Sequence, residues 1–160
     1  MQVTTALLDT YLGKNINAIC PAHYKAENHC AHFVSHVLNL RFGALCHAKT
    51  GVNIRVQELF AKCQKIEQLI ECRSIAVPQL VFITGEHNVN MQRHEMVNVP
   101  KKHVGIASGP FVWHYSNLQQ RAVKETLDKF LNHYPKQYNG LWLGSIPVGA
   151  MPAPFPAGTP

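Results

Sequence analysis

Apolar residues recur at helical spacing in four segments of the chain and form short strand-like runs in several others. The segments predicted as helices are 4–19, 28–40, 53–72 and 119–134. The runs predicted as strands are 77–84, 103–107, 111–115 and a last one within 141–148, and the polar stretch 86–98 is predicted as a long loop. Helices first, then strands with one late helix, is the order of an α+β fold.

The predicted helix 28–40 has the clearest two-sided pattern. On a helical wheel Cys30 falls within the apolar arc, Asn28 is suited to cap the helix, and Gly43 is suited to stop it. Cys30 is therefore expected on the first turn and pointing into the fold. There the unpaired backbone N–H groups and the helix dipole favour a thiolate with a lowered pKa. The residues of the polar arc are His32, Ser35, His36 and Asn39.

The runs 103–107 and 111–115 predict a β-hairpin. With Ser108-Gly109 as a two-residue turn, His103 lies directly opposite His114 and both project from one face. The hairpin therefore predicts two neighbouring imidazoles.

The two faces of this hairpin differ in bulk. The His103 face also carries Gly105 and Ala107, whose small size makes it the low face of the hairpin. It leaves room for the Cys30 helix to lie over it and bring the thiol to His103. The other face is expected to pack on the predicted helix 119–134. Its residues are Val104, Ile106, Phe111, Trp113 and Tyr115.

Length and composition narrow the class of protein. A chain of 160 residues is predicted to form a single domain over 1–150, with 151–160, which holds four prolines, as a tail. Hydrophobic residues at 46% and charged residues at 15% exclude a disordered chain, and no apolar run approaches the length of a membrane span. The net charge of +6 favours anionic partners, but the basic residues are scattered, so neither nucleic-acid binding nor stable membrane insertion is expected.

The five cysteines are an odd number and contain no CxxC pattern, which argues against a disulfide scaffold or a zinc knuckle. His32 and His36 have the i, i+4 spacing of metal ligands, but they fall on the predicted solvated arc and no third ligand is near them in sequence. The sequence therefore predicts no metal and no cofactor. The other thiols are interpreted as buried or incidental: Cys20, Cys46, Cys63 and Cys72.

The order of these features resembles a known superfamily. The segment Asn-His-Cys-Ala-His-Phe-Val at 28–34, the strand 77–83 and His-Val-Gly-Ile at 103–106 resemble the NlpC-type bacterial cell-wall cysteine peptidases and the related CHAP amidases. The resemblance implies a papain-like fold, with N-terminal helices and the catalytic cysteine helix packed on a small antiparallel sheet. It implies that Cys30 is the nucleophile, His103 the base and His114 the residue that orients His103.

The resemblance covers about 24–116 and has two departures. The usual glycine-rich approach to the cysteine is replaced by 23–29, and Pro78-Gln79 stands where Gly-Asp is typical. Tyr24 is the candidate for the substrate-side tyrosine of the family.

The implied function is cleavage of peptidoglycan peptide bonds, as a cysteine peptidase or amidase acting through a thioester. Peptidoglycan peptides are then the substrate, and an inhibitor or immunity protein is a candidate partner. Because the N-terminus lacks the pattern of a signal peptide, synthesis in the cytoplasm and action in the periplasm or cell wall after specialised secretion are expected.

Two alternatives stay open. Segment 28–34 also resembles the cysteine motif of lecithin:retinol acyltransferase-like proteins, which are lipid-directed thiol acyltransferases or phospholipases. Their histidines precede the cysteine, as His23 does here, whereas His103 follows it and favours the cell-wall family. The other alternative is a non-catalytic binding module on the same fold.

Overall fold

The computed structural model describes residues 2–21, 29–46, 50–134 and 139–150. Within these ranges the helices are α1 (Thr5–Asp9), α2 (Ile16–Ile19), α3 (His29–Val37), α4 (Val56–Lys62) and α5 (Leu127–Leu131), with a 3-10 turn at Glu86–Asn88. The strands are β1 (Ile66–Leu69), β2 (Ile75–Gly85), β3 (Val89–Asn90), β4 (Glu95–Met96), β5 (Lys102–Gly109), β6 (Phe111–Ser116), β7 (Arg121–Thr126) and β8 (Asn139–Gly144). None of the helices in these ranges has the length and apolar character that crossing a membrane requires.

Six strands form one antiparallel sheet in the order β1-β8-β2-β5-β6-β7. The strands β5, β6 and β7 follow one another in the chain and in the sheet, so they form a meander. The short strands β3 and β4 pair separately, inside the stretch predicted as a polar loop. The predicted α+β class is confirmed.

Helix α3 lies on one face of the sheet and α5 on the other. Side chains alternate along a strand, so β5 presents Val104 and Ile106 to α3 and Ala107 to α5. The cluster on the α3 side includes Cys30, Phe33, Val34, Leu80, Phe82, Val104, Ile106, Trp113 and Tyr115. The cluster on the α5 side includes Val81, Ile83, Ala107, Val112, Leu127, Phe130, Leu141 and Leu143.

The predicted assignment of the two hairpin faces is therefore wrong. The bulky face carries α3, and the low face with Gly105 and Ala107 carries α5. Burial of apolar area explains why each helix lies on the face opposite to the one predicted. All but the first of the nine residues of α3 are buried, so α3 needs the larger apolar surface. The low face accommodates a shorter helix together with imidazole rings.

The predicted helix 119–134 is mostly wrong. Residues 121–126 form the edge strand β7, paired with β6 from Phe111↔Thr126 to Ser116↔Arg121. The helix begins only after Thr126, whose hydroxyl accepts a hydrogen bond from the N–H of Lys129 at 3.2 Å. Pairing with a neighbouring strand outweighs the helical spacing of the apolar residues.

Two other helix predictions are right only in part. Segment 4–19 contains two short helices, each started by a side-chain cap, from Thr4 and from Asn15. Segment 53–72 contains α4 and then β1, which pairs with β8. The predicted strand 77–84 lies within β2, and the last strand is β8.

The hairpin prediction is right, but its register is not. Ser108 pairs with Phe111 and Ile106 with Trp113, so the turn is Gly109-Pro110 rather than Ser108-Gly109. Gly109 has φ +58°, a conformation that favours glycine. Continued along β5, this register sets Gly105, and not His103, opposite His114.

Candidate functional site

Three polar side chains form a hydrogen-bonded chain across β5, β6 and β7. The Nε2 atom of His103 lies 2.8 Å from Nδ1 of His114, and Nε2 of His114 lies 2.9 Å from a carboxylate oxygen of Glu125. Both imidazoles are buried, and the Glu125 side chain is 13% exposed. The prediction that the two imidazoles are neighbours is confirmed.

The meander brings these three residues together. They are spaced by 11 residues in each step, and each pair is diagonal across neighbouring strands of one sheet face. Gly105 makes room beside His114, since an ideal Cβ on Gly105 would lie 2.6 Å from Cγ1 of Val112 and 3.1 Å from Cβ of His114. The low face therefore holds a row of polar side chains instead of the cysteine helix.

The environment of His103 favours its neutral form. Its ring stacks on that of His133 with centroids 4.3 Å apart and lies 5.4 Å from the ring of Phe130. Burial lowers the pKa of His103 well below its ordinary value, and His114 and His133 lower it further.

The surroundings of His114 shift its pKa in two opposite directions. Burial lowers the pKa of His114, whereas the hydrogen bond and the charge of Glu125 raise it and only partly offset burial. Of the two imidazoles, His114 is thus the one beside a compensating charge. A carboxylate at Nε2 also directs the His114 proton to that atom, which leaves Nδ1 to accept a hydrogen bond from His103.

Cys30 is the second residue of α3, as predicted, and is 4% exposed. Burial raises the pKa of its thiol to about 11, while hydrogen bonds from the backbone of Val104 and Ala31 and the charge of Lys102 lower it to a lesser extent. The expectation of a lowered pKa is therefore wrong. Desolvation of the charged form outweighs the first-turn N–H groups.

Cys30 and His103 approach β5 from opposite faces. The sulfur contacts the backbone of Val104, the residue that follows His103, and the His103 ring lies on the α5 side. Among the residues described, no hydrogen bond joins the Cys30 sulfur to either imidazole. The structure thus joins His103 to His114 and brings the thiol to the adjoining backbone; the catalytic roles of these residues stay predictions.

Several predicted features fall outside the described residues. These are the substrate-side Tyr24, the N-cap Asn28, the alternative histidine His23 and the tail 151–160. The predicted helix stop at Gly43 is displaced, because α3 ends at Val37 and Asn39 takes the left-handed conformation with φ +47°.

Two residues of this site were not predicted from the sequence. Glu125 and His133 both fell in the stretch interpreted as one helix, where neither faces the hairpin histidines. The signal that could have found Glu125 is the repeated 11-residue step from His103 to His114 to Glu125, which suits a three-stranded meander with short turns.

A second polar cluster lies on α3 itself. His32 and His36, predicted on a solvated face, are both buried, and Cys46 and Thr50 lie beside their rings on that side of the helix. The interpretation of their arc as solvent-facing is wrong. Their Nε2 atoms lie 3.2 Å apart, and Cys20 and Cys46 are beside them.

The described residues therefore contain a buried thiol on a helix start, a carboxylate–imidazole–imidazole chain beneath the adjoining strand, and a separate Cys/His cluster. The first two are the groups of nucleophilic and acid–base chemistry, and the third is a set of soft metal ligands. Comparisons of the chain with protein-family models, with curated proteins and with solved structures give no match.

Proposed function

We propose that this protein is a cysteine-dependent hydrolase of peptide or amide bonds, in which Cys30 is the nucleophile, His103 the base and His114 the residue that orients His103. The observation that carries the proposal is the chain from Glu125 through His114 to Nε2 of His103. This chain uses Nε2 of His103, so Nδ1 is the nitrogen proposed to take the thiol proton once Cys30 and His103 are brought to the same side of β5. A base oriented by a second group is the arrangement that nucleophilic catalysis needs.

The protonation states follow from burial. The pKa of Cys30 is raised and that of His103 is lowered, so the resting pair is a neutral thiol and a neutral imidazole. The thiolate forms only when the proton moves to His103 during attack. Glu125 stabilises the positive charge that His103 gains, because it holds the proton of His114 at the far ring nitrogen.

The reaction proceeds in two balanced steps. The Cys30 sulfur gives its proton to Nδ1 of His103 and attacks the carbonyl carbon; His103 then protonates the departing amine as the C–N bond breaks, leaving a thioester. In the second step His103 takes a proton from water as its oxygen attacks the thioester carbon. The C–S bond then breaks, the acid is released, and His103 returns the proton to the sulfur of Cys30. Backbone N–H groups near the sulfur are suited to hold the carbonyl oxygen as its negative charge develops.

The thiol and the base must move closer for this chemistry. Cys30 and His103 are 4% and 1% exposed, and among the described residues no hydrogen bond joins them to each other, so substrate must displace the groups that cover them. Catalytic hydrogen bonds that are long in the free enzyme commonly tighten in the substrate complex. Because the sulfur and the His103 ring approach β5 from opposite faces, the first turn of α3 and the start of β5 must shift relative to each other to bring the sulfur to Nδ1.

The substrate is proposed to be the peptide part of peptidoglycan. Support comes from the resemblance of 28–34 and 103–106 to the NlpC-type cell-wall peptidases, and from the papain-like order of a cysteine helix followed by a histidine hairpin on an antiparallel sheet. The net charge of +6 suits an anionic wall polymer. Action in the periplasm or cell wall, and an inhibitor or immunity protein as partner, belong to the same proposal.

Digestion of purified peptidoglycan, followed by mass spectrometry of the released fragments, tests this proposal. Wild type and Cys72→Ala should release the same new peptides, and Cys30→Ala should release none. Cys72 is the matched control because it is a half-buried thiol on the α5 side of the sheet. Intact peptidoglycan with wild type, together with acyl release from phospholipid vesicles, would overturn the proposal in favour of the acyltransferase alternative.

A further inference from the structure

We propose that Cys20, His32, His36 and Cys46 bind one zinc ion that holds α2 and the chain at Cys46 against α3. All four residues are buried, and their ligand atoms lie within 4.8 Å of one another. The site is separate from the hydrolase residues, and the proposal does not depend on the proposed function.

The distances between the ligand atoms suit a tetrahedral metal. The separations are 3.2 Å between the two sulfurs, 3.2 Å between the two Nε2 atoms, and 3.8 Å between the Cys46 sulfur and Nε2 of His32. Zinc bonds of about 2.3 Å to sulfur and about 2.05 Å to nitrogen place tetrahedral ligand atoms about 3.3 to 3.8 Å apart. These three separations differ from the tetrahedral values by about 0.6 Å or less, and no two of the four ligand atoms are more than 4.8 Å apart.

Three separate parts of the chain bring these ligands together. His32 and His36 lie one turn apart on α3, so both imidazoles project from one side of that helix. Cys20 is the C-cap of α2, where its N–H donates to the carbonyl of Ile16 at 2.7 Å. Cys46 follows Leu45, which forms an isolated β-bridge with Val52.

Cys46 and residues 50–52 are held close to each other and to α3 by specific contacts. The N–H of Val52 donates to the Ser35 hydroxyl at 3.2 Å, and the N–H of Cys46 donates to the carbonyl of Gly51 at 3.0 Å. An ideal Cβ on Gly51 would lie only 2.8 Å from the Ser35 hydroxyl oxygen, and Gly51 has φ +71°. Only glycine at position 51 lets residues 50–52 lie this close to α3, and Gly51 in turn accepts the hydrogen bond that places Cys46.

The surroundings of the site match those of metal-bound histidines. The Thr50 hydroxyl lies 3.0 Å from Nδ1 of His36, which fixes the ring and leaves Nε2 facing the other ligands. Two thiolates and two neutral imidazoles around Zn²⁺ have no net charge, which suits a buried position. Binding releases the two thiol protons to solvent.

The ligand set also determines the metal and its role. Two sulfurs and two imidazole nitrogens in a tetrahedron select zinc among abundant divalent ions, whereas Mg²⁺ and Ca²⁺ prefer oxygen ligands. Four protein ligands leave no open coordination position, so the site is structural rather than catalytic. It fixes the helix whose first turn carries Cys30.

Metal analysis of the tag-free protein, purified under reducing conditions and without added zinc, tests the proposal. Wild type should contain one zinc per chain, as should Cys72→Ala and Cys30→Ala, whereas His36→Gln and Cys46→Ser should contain little. Chelation of the wild type should lower its melting temperature, and added zinc should restore it.

Cobalt substitution keeps the test decisive if the two ligand variants fail to fold. Co²⁺ added to chelated wild type should give thiolate-to-cobalt charge-transfer bands and the intense ligand-field bands of a tetrahedral site. Wild type without zinc and without these bands would overturn the proposal. So would a Cys20–Cys46 disulfide in peptide maps of protein purified under the same reducing conditions, since their sulfurs could then not bind a metal.

Discussion

The carboxylate of Glu125 lies 2.9 Å from Nε2 of His114, on the edge strand next to it in the sheet. The same carboxylate has Nζ of Lys129 at 3.9 Å on its other oxygen, and its side chain is 13% exposed. Glu125 therefore faces the imidazole on one side and solvent on the other. Through this contact Glu125 sets which ring nitrogen of His114 carries the proton.

Replacement of Glu125 by Gln should lower the turnover of peptidoglycan peptides by about 100-fold, a typical effect of impaired acid–base catalysis. The amide keeps the shape of the side chain but cannot balance the charge that develops on the two imidazoles. Glu125 is a positioning residue, so kcat should fall while KM stays near its wild-type value, and the acid limb of the pH–rate profile should shift. Glu67→Gln, which removes a surface ion pair with Arg73, is the control and should leave kcat unchanged. Unchanged kcat in Glu125→Gln would contradict this role.

The sequence predicts the order of elements around the site better than their packing. The helix start at Cys30, the strand before the hairpin and the two adjoining imidazoles all depend on local patterns, namely capping, alternation and a turn with glycine and proline. The face on which α3 lies depends on how much apolar area each face buries. The small residues Gly105 and Ala107 leave room for a helix. The sequence does not show that the short helix α5, rather than α3, covers them.

The site residues show the same limit. Glu125 went unpredicted because residues 119–134 have the apolar spacing of a helix, and only strand pairing with β6 excludes it. The sequence also failed to predict the cluster of Cys20, His32, His36 and Cys46. Cys20 and Cys46 lie outside α3 in the sequence and reach it only through tertiary contacts. Ligands contributed by separate segments have no spacing by which sequence alone can recognise them.

Native-state alkylation should find Cys30 unreactive at neutral pH. Burial raises the pKa of its thiol to about 11, so the reactive thiolate is scarce and the sulfur is covered. The rate of labelling at Cys30, followed by pulses of iodoacetamide and peptide mass spectrometry, should rise tenfold per pH unit between pH 8 and about 10 wherever the fold persists. Urea-unfolded protein is the control and should react at the rate of an ordinary thiol. Rapid labelling of native Cys30 at pH 7 would show instead a resting thiolate–imidazolium pair.

Substitution of Gly105 by Ala should destabilise the fold by about 1 to 3 kcal/mol, the usual cost of overpacking. The added methyl group would lie 2.6 Å from Cγ1 of Val112, and relief requires β5 and β6 to separate where His103 meets His114. Urea unfolding followed by fluorescence of the buried Trp113 measures the change. Ser108→Ala, on the same strand but half-buried, should stay within about 0.5 kcal/mol of wild type. Equal stability of Gly105→Ala and wild type would mean that the sheet yields at this point without cost.

The stability of the protein should fall as the pH decreases below about 6.5, in part because His103 is buried as a neutral ring. Its pKa is lowered well below 6.5 in the folded protein, so the unfolded chain binds a proton first. The contribution of His103 to the free energy of unfolding is therefore complete above the pKa that it has in the unfolded chain. It is lost as the pH falls toward the lower pKa that it has in the folded protein. Urea midpoints measured from pH 7.5 to pH 5 should therefore decrease in wild type and decrease less steeply in His103→Asn, which has no ring to protonate. His87→Asn, at an exposed position, is the matched control and should keep the full wild-type slope. Parallel slopes for wild type and His103→Asn would show that the acid sensitivity arises from other groups, and that His103 takes up its proton equally in the folded protein and in the unfolded chain over this range.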